Sequence, residues 1–85
     1  MQGVMTKEQL VEVEALPEEA QKVLKYVLGF QMELAVHGEV VGQPFEFVFE
    51  DSSVLPLLTK YFVVEEERVV VSQLGADVMY EEGVL

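Results

Sequence analysis

Apolar residues recur at helical spacing from Pro17 to about Val36, and this pattern constrains the fold more than any other feature of the chain. The repeating positions lie three or four residues apart, as on one face of an α-helix: Ala20, Val23, Leu24, Val27, Leu28, Leu34 and Ala35, with the polar Gln31 among them. Pro17 suits a first helical turn, and Glu18 and Glu19 complement the positive end of the helix dipole. We therefore predict a long amphipathic helix that ends near Gly38, where glycine can form a left-handed cap.

The segment before this helix is compatible with two interpretations. Thr6 followed by Gln9 forms a capping-box pattern, which favours a helix over Lys7–Ala15. Residues 11–14 instead alternate between valine and glutamate, which favours a strand. We predict the helix, and we expect residues 1–5 to form a flexible tail.

Period-two alternation also occurs after a turn-like segment at residues 38–44. Three phenylalanines alternate with other residues over Phe45–Glu50, which predicts a half-buried strand. Residues 51–53 (Asp-Ser-Ser) are favourable N-cap residues, so we predict a helix of about two turns from Val54 to Tyr61. Pro56 is compatible with this helix only in its first turn.

The last part of the chain has the pattern of a hairpin followed by a helix. Apolar runs at Phe62–Val64 and Arg68–Ser72 flank three glutamates, which predicts two antiparallel strands with a charged turn. Ser72 is the expected cap of a final helix over Gln73–Glu82, which Gly83 ends. The predicted fold class is α+β, in one small domain that spans residues 1–85.

The composition excludes several classes of protein. The 85 residues include 16 acidic and 5 basic side chains, giving a net charge of −11, so we expect no nucleic-acid partner. The absence of cysteine removes disulfide scaffolds and thiolate zinc sites. An apolar share of 51% is far above that of a disordered acidic tail.

Membrane and export signals are not visible in the sequence. No uncharged run approaches the roughly 20 residues that cross a bilayer. The opening MQGVMTKEQL has no basic region followed by an apolar block. We therefore expect a cytoplasmic protein without a membrane partner.

No motif indicates catalysis, and we predict that the protein is not an enzyme and needs no cofactor or metal. His37, with only Glu33 nearby in sequence, does not make a metal site and is better explained as a helix-end residue. Asp51-Ser52 is reminiscent of the modified serine of acyl carriers, but those proteins are helical bundles and a predicted strand precedes it here. Phosphate loops, nucleophile elbows and dinucleotide fingerprints are missing.

From about Ser53 to Gly83 the chain resembles the second half of a winged-helix domain. The predicted short helix leads into YFVVEEERVVVSQLGADVMYEEG, where residues 70–75 match the end of the second wing strand and Ser72 stands in place of a threonine. The first half departs from the family, because residues 38–50 predict a turn and a strand where a second helix is required. A divergent winged helix and a different α+β fold with a similar hairpin both fit.

The resemblance implies a DNA contact surface, but the charges oppose it. In a DNA-binding regulator, Ser53, Lys60 and, in the wing, Arg68 would contact DNA. Glu65, Glu66 and Glu67 at the wing tip would repel phosphates, which favours a protein-binding version of the fold. The stretch EALPEEAQKVLKYVLGF also resembles the opening of certain short bacterial antitoxin-like proteins. Proline at the first helical position followed by glutamates is, however, equally typical of helix starts in general.

These observations together predict a small acidic regulatory module that docks on the basic face of a partner protein. Its extreme form is a DNA mimic, an inhibitor type found in phages and mobile elements. The candidate contact residues are Glu65, Glu66 and Glu67 at the predicted turn, and Tyr26 and Phe30 on the long helix. An exposed apolar patch that includes Met32 would also support a homodimer. The alternative function is winged-helix DNA binding in transcription regulation.

Overall fold

Three helices and a three-stranded sheet make up the described part of the chain. The computed structural model describes residues 5–38 and 42–81. The element order is α1 (Lys7–Glu14), α2 (Glu18–Val36), β1 (Phe45–Glu46), a 3-10 helix (Leu55–Leu58), β2 (Phe62–Glu65), β3 (Arg68–Val71) and α3 (Gln73–Tyr80). This α+β architecture confirms the coarse fold class, whereas the resemblance to a winged helix stays a prediction.

The N-terminal segment is helical, so the prediction of a helix is confirmed and the strand alternative is wrong. Thr6 and Gln9 form a reciprocal capping box: the Thr6 hydroxyl accepts from the Gln9 N–H at 3.1 Å, and Gln9 Oε1 accepts from the Thr6 N–H at 2.8 Å. Residues 1–4 of the predicted tail lie outside the described residues, whereas Met5 is buried in the core.

The amide of Gln21 joins α1 to α2. Its Nε2 lies within hydrogen-bond distance of three carbonyl oxygens, those of Val13 (3.4 Å), Glu14 (3.1 Å) and Leu16 (2.9 Å). Carbonyls at a helix C-terminus have no partner within the helix, and Gln21 supplies a donor to them. Pro17 is the N-cap of α2, one position before its predicted place in the first turn.

The sheet is antiparallel with the order β1-β3-β2, so β3 lies in the middle. Phe45 and Val64 are both opposite Val69, and Phe62 is opposite Val71. These residues face the core, and the helices pack on that face. The buried cluster combines side chains of the sheet, the 3-10 helix, α2 and α3, including Leu24, Val27, Leu58, Phe62, Val69, Val71 and Val78.

Two predicted elements are shorter than expected. The predicted strand Phe45–Glu50 keeps its burial alternation, but only Phe45–Glu46 pair as a strand. The pairing stops because β3 begins at Arg68, which is opposite Glu46. Before Arg68 only the carbonyl of the turn residue Glu67 is available, and it accepts from the Phe47 N–H at 3.0 Å. The predicted two-turn helix Val54–Tyr61 is a single 3-10 turn over Leu55–Leu58, with Pro56 in its first turn as expected.

The C-terminal helix begins as predicted and ends earlier. The Ser72 hydroxyl caps α3 by accepting from the Gly75 N–H at 3.1 Å. The helix ends at Tyr80, because Glu81 has extended backbone angles. The predicted helix end at Glu82 and the stop at Gly83 lie outside the described residues.

Candidate interaction surface

A groove runs between α2 and residues 47–51, which follow β1, and we call it the acidic groove. Four residues of α2 reach it because they are spaced three or four positions apart along one side of the helix. Its apolar lining consists of Val23, Tyr26, Phe47, Val48 and Phe49, and its charged lining of Glu19, Lys22, Glu50 and Asp51. The groove therefore combines an apolar floor with three carboxylates and one ammonium.

Two apolar side chains in this groove are open to solvent. Tyr26 is 70% exposed and Val48 is 75% exposed. Both side chains line the same groove, and apolar exposure grouped in this way is typical of a contact surface. The predicted contact residue Tyr26 thus forms one wall of the groove.

A row of phenylalanine rings holds residues 47–51 against the body of the protein. Phe30 contacts Phe45 and Phe47 with ring centroids 5.4 and 5.8 Å apart, and Phe47 contacts Phe49 at 4.9 Å. Phe49 in turn stacks on Phe62 at 6.1 Å. Centroid distances in this range are favourable for aromatic pairs. Phe30 was predicted to contact a partner; it is 37% exposed, and its ring supports the groove from below.

The carboxylate of Asp51 is held in its charged form. It accepts a hydrogen bond from the Ser53 N–H at 2.9 Å, and the backbone and side-chain hydrogen bonds of Ser53 lower the pKa of Asp51. This local turn is typical of aspartate before a helix. Ser53, a predicted DNA contact, is therefore engaged in positioning one acid of the groove.

The hairpin turn consists of two acidic residues and is bonded through its backbone to a segment that lines the groove. Glu66 and Glu67 are the two turn residues, and both have positive φ angles, 48° and 70°. This is the backbone of a type I′ hairpin turn, which normally contains Asn or Gly. The Glu67 carbonyl accepts from the N–H of Phe47, so the turn is bonded directly to the segment that lines the acidic groove.

The three predicted DNA contacts do not come together. Lys60 forms an ion pair with Glu12 at 2.9 Å, and the hydrogen bond and charge of Glu12 raise the pKa of Lys60. Arg68 lies in the middle strand, with Glu46 and Glu65 opposite it on either side. Lys60 and Arg68 line different surface depressions, and Ser53 lines neither of them.

The contribution of residues 47–51 was missed from the sequence. Val48 and Glu50 alternate with the phenylalanines of the predicted strand, and nothing in their spacing showed that α2 would lie beside them. One signal was present: three alternating phenylalanines require an apolar helix face, and Val23, Tyr26 and Phe30 provide one on α2. Among residues 5–38 and 42–81, no three acidic or histidine side chains are grouped as metal ligands would be.

Comparison with known proteins identifies no relative of this chain. No protein-family model, no curated protein and no solved structure shows significant similarity to it. Within the described ranges, no helix has the length and apolar character needed to cross a bilayer.

Proposed function

We propose that this protein is an acidic interaction module whose groove binds a basic segment of a partner protein. The observation that carries the proposal is the joint exposure of Tyr26 and Val48 in a groove where Glu19, Glu50 and Asp51 outnumber Lys22. An apolar floor supplies contact area, while the carboxylates select a cationic partner. The preferred segment contains arginine or lysine next to a bulky apolar residue.

Each part of the groove has a distinct role in this proposal. A guanidinium or ammonium group can lie over the exposed ring of Tyr26, an arrangement worth roughly 0.5–1 kcal/mol at an exposed site. Glu50 and Asp51 then neutralise its charge, and the apolar neighbour packs on Phe47 and Val48. The net charge of −11 accelerates the encounter with a basic partner over longer distances.

A DNA mimic is the special case in which the partner itself binds nucleic acid. In such a mimic the exposed glutamates of the hairpin turn would add to the acidic surface, since the turn is joined to Phe47 through the Glu67 carbonyl. Such a mimic would compete with duplex DNA for the partner, whereas a general docking module would not. The alternative of DNA binding by this chain has less support, because Lys60 is already paired with Glu12.

The test uses two labelled peptides that differ only in charge. One alternates arginine with leucine, and the other has glutamine in place of each arginine. We expect the arginine peptide alone to bind, with an affinity that falls as salt rises to physiological strength. Tyr26→Ala and the double variant Glu50→Gln/Asp51→Asn should each weaken binding, and asparagine at position 51 still accepts the turn hydrogen bond.

The matched control removes two exposed carboxylates elsewhere, in the double variant Glu14→Gln/Glu33→Gln. It changes the net charge equally but leaves the acidic groove intact, so it should bind almost as well as the unmodified protein. Equal binding of the two peptides, or equal loss in the control variant, would contradict the proposal.

A further inference from the structure

The face of the β2-β3 hairpin that points away from the helices carries a self-complementary set of side chains. We call this set the outer hairpin face; it consists of Val63 and Glu65 on β2 and Arg68 and Val70 on β3. Val63 is opposite Val70, and Glu65 is opposite Arg68. Residues directly opposite each other in an antiparallel pair point to the same side, so the face has one apolar row and one charged row. Glu46 of β1, which is opposite Arg68 on its other side, continues the charged row beyond the hairpin.

This face is open in the described structure. Val63 is 51% exposed, and Pro44 and Glu66 line a shallow depression together with the four side chains of the face. Among residues 5–38 and 42–81, the only ion pair within 4.0 Å joins Lys60 to Glu12, so the Arg68 guanidinium makes none there. The face therefore has an exposed valine next to an arginine without such an ion pair. This combination is unusual in a chain that is so strongly acidic.

We propose that the outer hairpin face binds a second copy of this chain in a twofold-symmetric dimer. In a face-to-face dimer of this kind, each patch must complement itself. A twofold axis parallel to the strands and midway between β2 and β3 places Val63 of each copy over Val70 of the other. The same axis places each Arg68 over Glu65 of the second copy.

The other simple arrangements are unfavourable. An axis along β3 would place Arg68 over Arg68 of the second copy. An axis across the strands would place valines over charged side chains when it lies between the two rows, and would leave the charges without opposite charges when it lies on the valine row. Sheets that pack face to face align their strands to within about 30°, which a strand-parallel axis allows. The axis midway between β2 and β3 is therefore favoured, because it pairs both the valines and the opposite charges.

The dimer differs from the one expected on the long helix, and it leaves the acidic groove free. The depression at the hairpin and the acidic groove share no lining residue. The face is small compared with the roughly 800 Å² per partner of a standard interface, so the dimer should form only at high protein concentration. Two grooves in one dimer would strengthen binding to a partner with two basic segments through effective concentration.

The test is a charge exchange, followed by sedimentation equilibrium at physiological salt. The unmodified protein should dimerise at high concentration. Arg68→Glu and Glu65→Arg should each raise the dissociation constant about tenfold or more, because each turns two attractions into two repulsions. An equimolar mixture of the two variants should form heterodimers, since every contact then joins opposite charges.

The heterodimer also serves as the folding control, because misfolded variants would not associate specifically. Tyr26→Ala should dimerise like the unmodified protein, which separates this face from the exposed surface of α2. A monomeric unmodified protein at all concentrations, or a mixture that stays monomeric, would overturn the proposal. The inference does not depend on the proposed function, because peptide binding can be measured separately on the monomeric variants.

Discussion

The α-carbon of Gly75 lies directly against the carbonyl oxygen of Tyr61. Any side chain at position 75 would overlap that oxygen, and its β-carbon would also lie 2.9 Å from Cγ1 of Val71. The contact is close because Ser72 joins the same segments: its N–H donates to the Tyr61 carbonyl at 2.9 Å, and its hydroxyl lies 2.6 Å from the Lys60 carbonyl oxygen. Gly75 therefore lets α3 pack onto the turn at Lys60 and Tyr61 that precedes β2.

Gly75→Ala should destabilise the protein although alanine is the better helix former. The overlap is with backbone, which cannot rotate away, so we expect a loss of about 2 kcal/mol or more in the free energy of unfolding, after the gain of about 1 kcal/mol from helix propensity. Urea unfolding followed by circular dichroism measures this change. Gly29→Ala is the matched control, because position 29 lies inside α2 with nothing within 4 Å of an added β-carbon. It should raise stability, and a similar loss in both variants would contradict the packing argument.

Gln31→Met should stabilise the protein. Gln31 is 1% exposed, and its Oε1 is buried with no hydrogen-bond partner among the described residues. Methionine has nearly the same shape and removes the cost of an unsatisfied acceptor, so we expect a gain of about 1 kcal/mol in the free energy of unfolding. Gln21→Met is the control and should destabilise the protein, because the Gln21 amide lies within hydrogen-bond distance of two carbonyls at the end of α1 and of the Leu16 carbonyl just beyond it. Thermal unfolding that shifts in the same direction for both would refute this account.

Substitution of the two turn glutamates should raise the stability of the protein and weaken its binding to the partner. Replacing Glu66 and Glu67 by Asn and Gly suits their positive φ angles, so the double variant should gain about 1 kcal/mol of stability. If the turn glutamates contact the basic partner, the same variant should bind the arginine peptide more weakly. The control Glu14→Gln/Glu33→Gln removes two charges without changing a turn. A more stable variant with unaltered peptide affinity would exclude the turn from the binding surface.

Stability should fall at alkaline pH. Burial, together with the charge of Glu12, raises the pKa of Tyr61 above its ordinary value of 10.0, and Glu12 raises the pKa of Lys60 above 10.5. Both groups hold their protons more tightly in the folded state, so their contribution is complete below pH about 10 and is lost as the pH rises further. Urea midpoints across this range should decline, and the decline should be smaller in Tyr61→Phe. The control Tyr80→Phe, at an exposed tyrosine, should follow the unmodified protein; an identical slope in all three proteins would argue against a role for Tyr61.

The element types were accessible from the sequence because each follows local chemistry. Thr6 and Gln9 specify the start of α1, the three-and-four spacing after Pro17 specifies α2, and the valine runs specify the hairpin. The lengths of β1 and the 3-10 helix were not accessible. The length of β1 depends on how many backbone groups of β3 are available for pairing. The length of the 3-10 helix depends on Pro56, in a segment too short for an α-helix.

The candidate site was predictable only in part. Tyr26 and the turn glutamates are visible in the sequence as an aromatic residue on an amphipathic helix and as a charge cluster, and their role in binding stays a prediction. The pairing of α2 with residues 47–51 was not, because it arises from ring contacts between residues distant in the chain, such as Phe30 with Phe47. The ion pair of Lys60 with Glu12, which are 48 positions apart, was hidden for the same reason.

The central place of β3 has a consequence for how the chain acquires its structure during synthesis. Both outer strands pair only with β3, which follows them in the sequence. Until residue 71 has left the ribosome, β1 and β2 have no partner strand within the sheet. The phenylalanine side chains of residues 45–49 likewise have no completed sheet beside them. Helices form from local contacts and can appear earlier, whereas the sheet must close in one late step. During this stage the net negative charge of the chain opposes association through the uncovered strands.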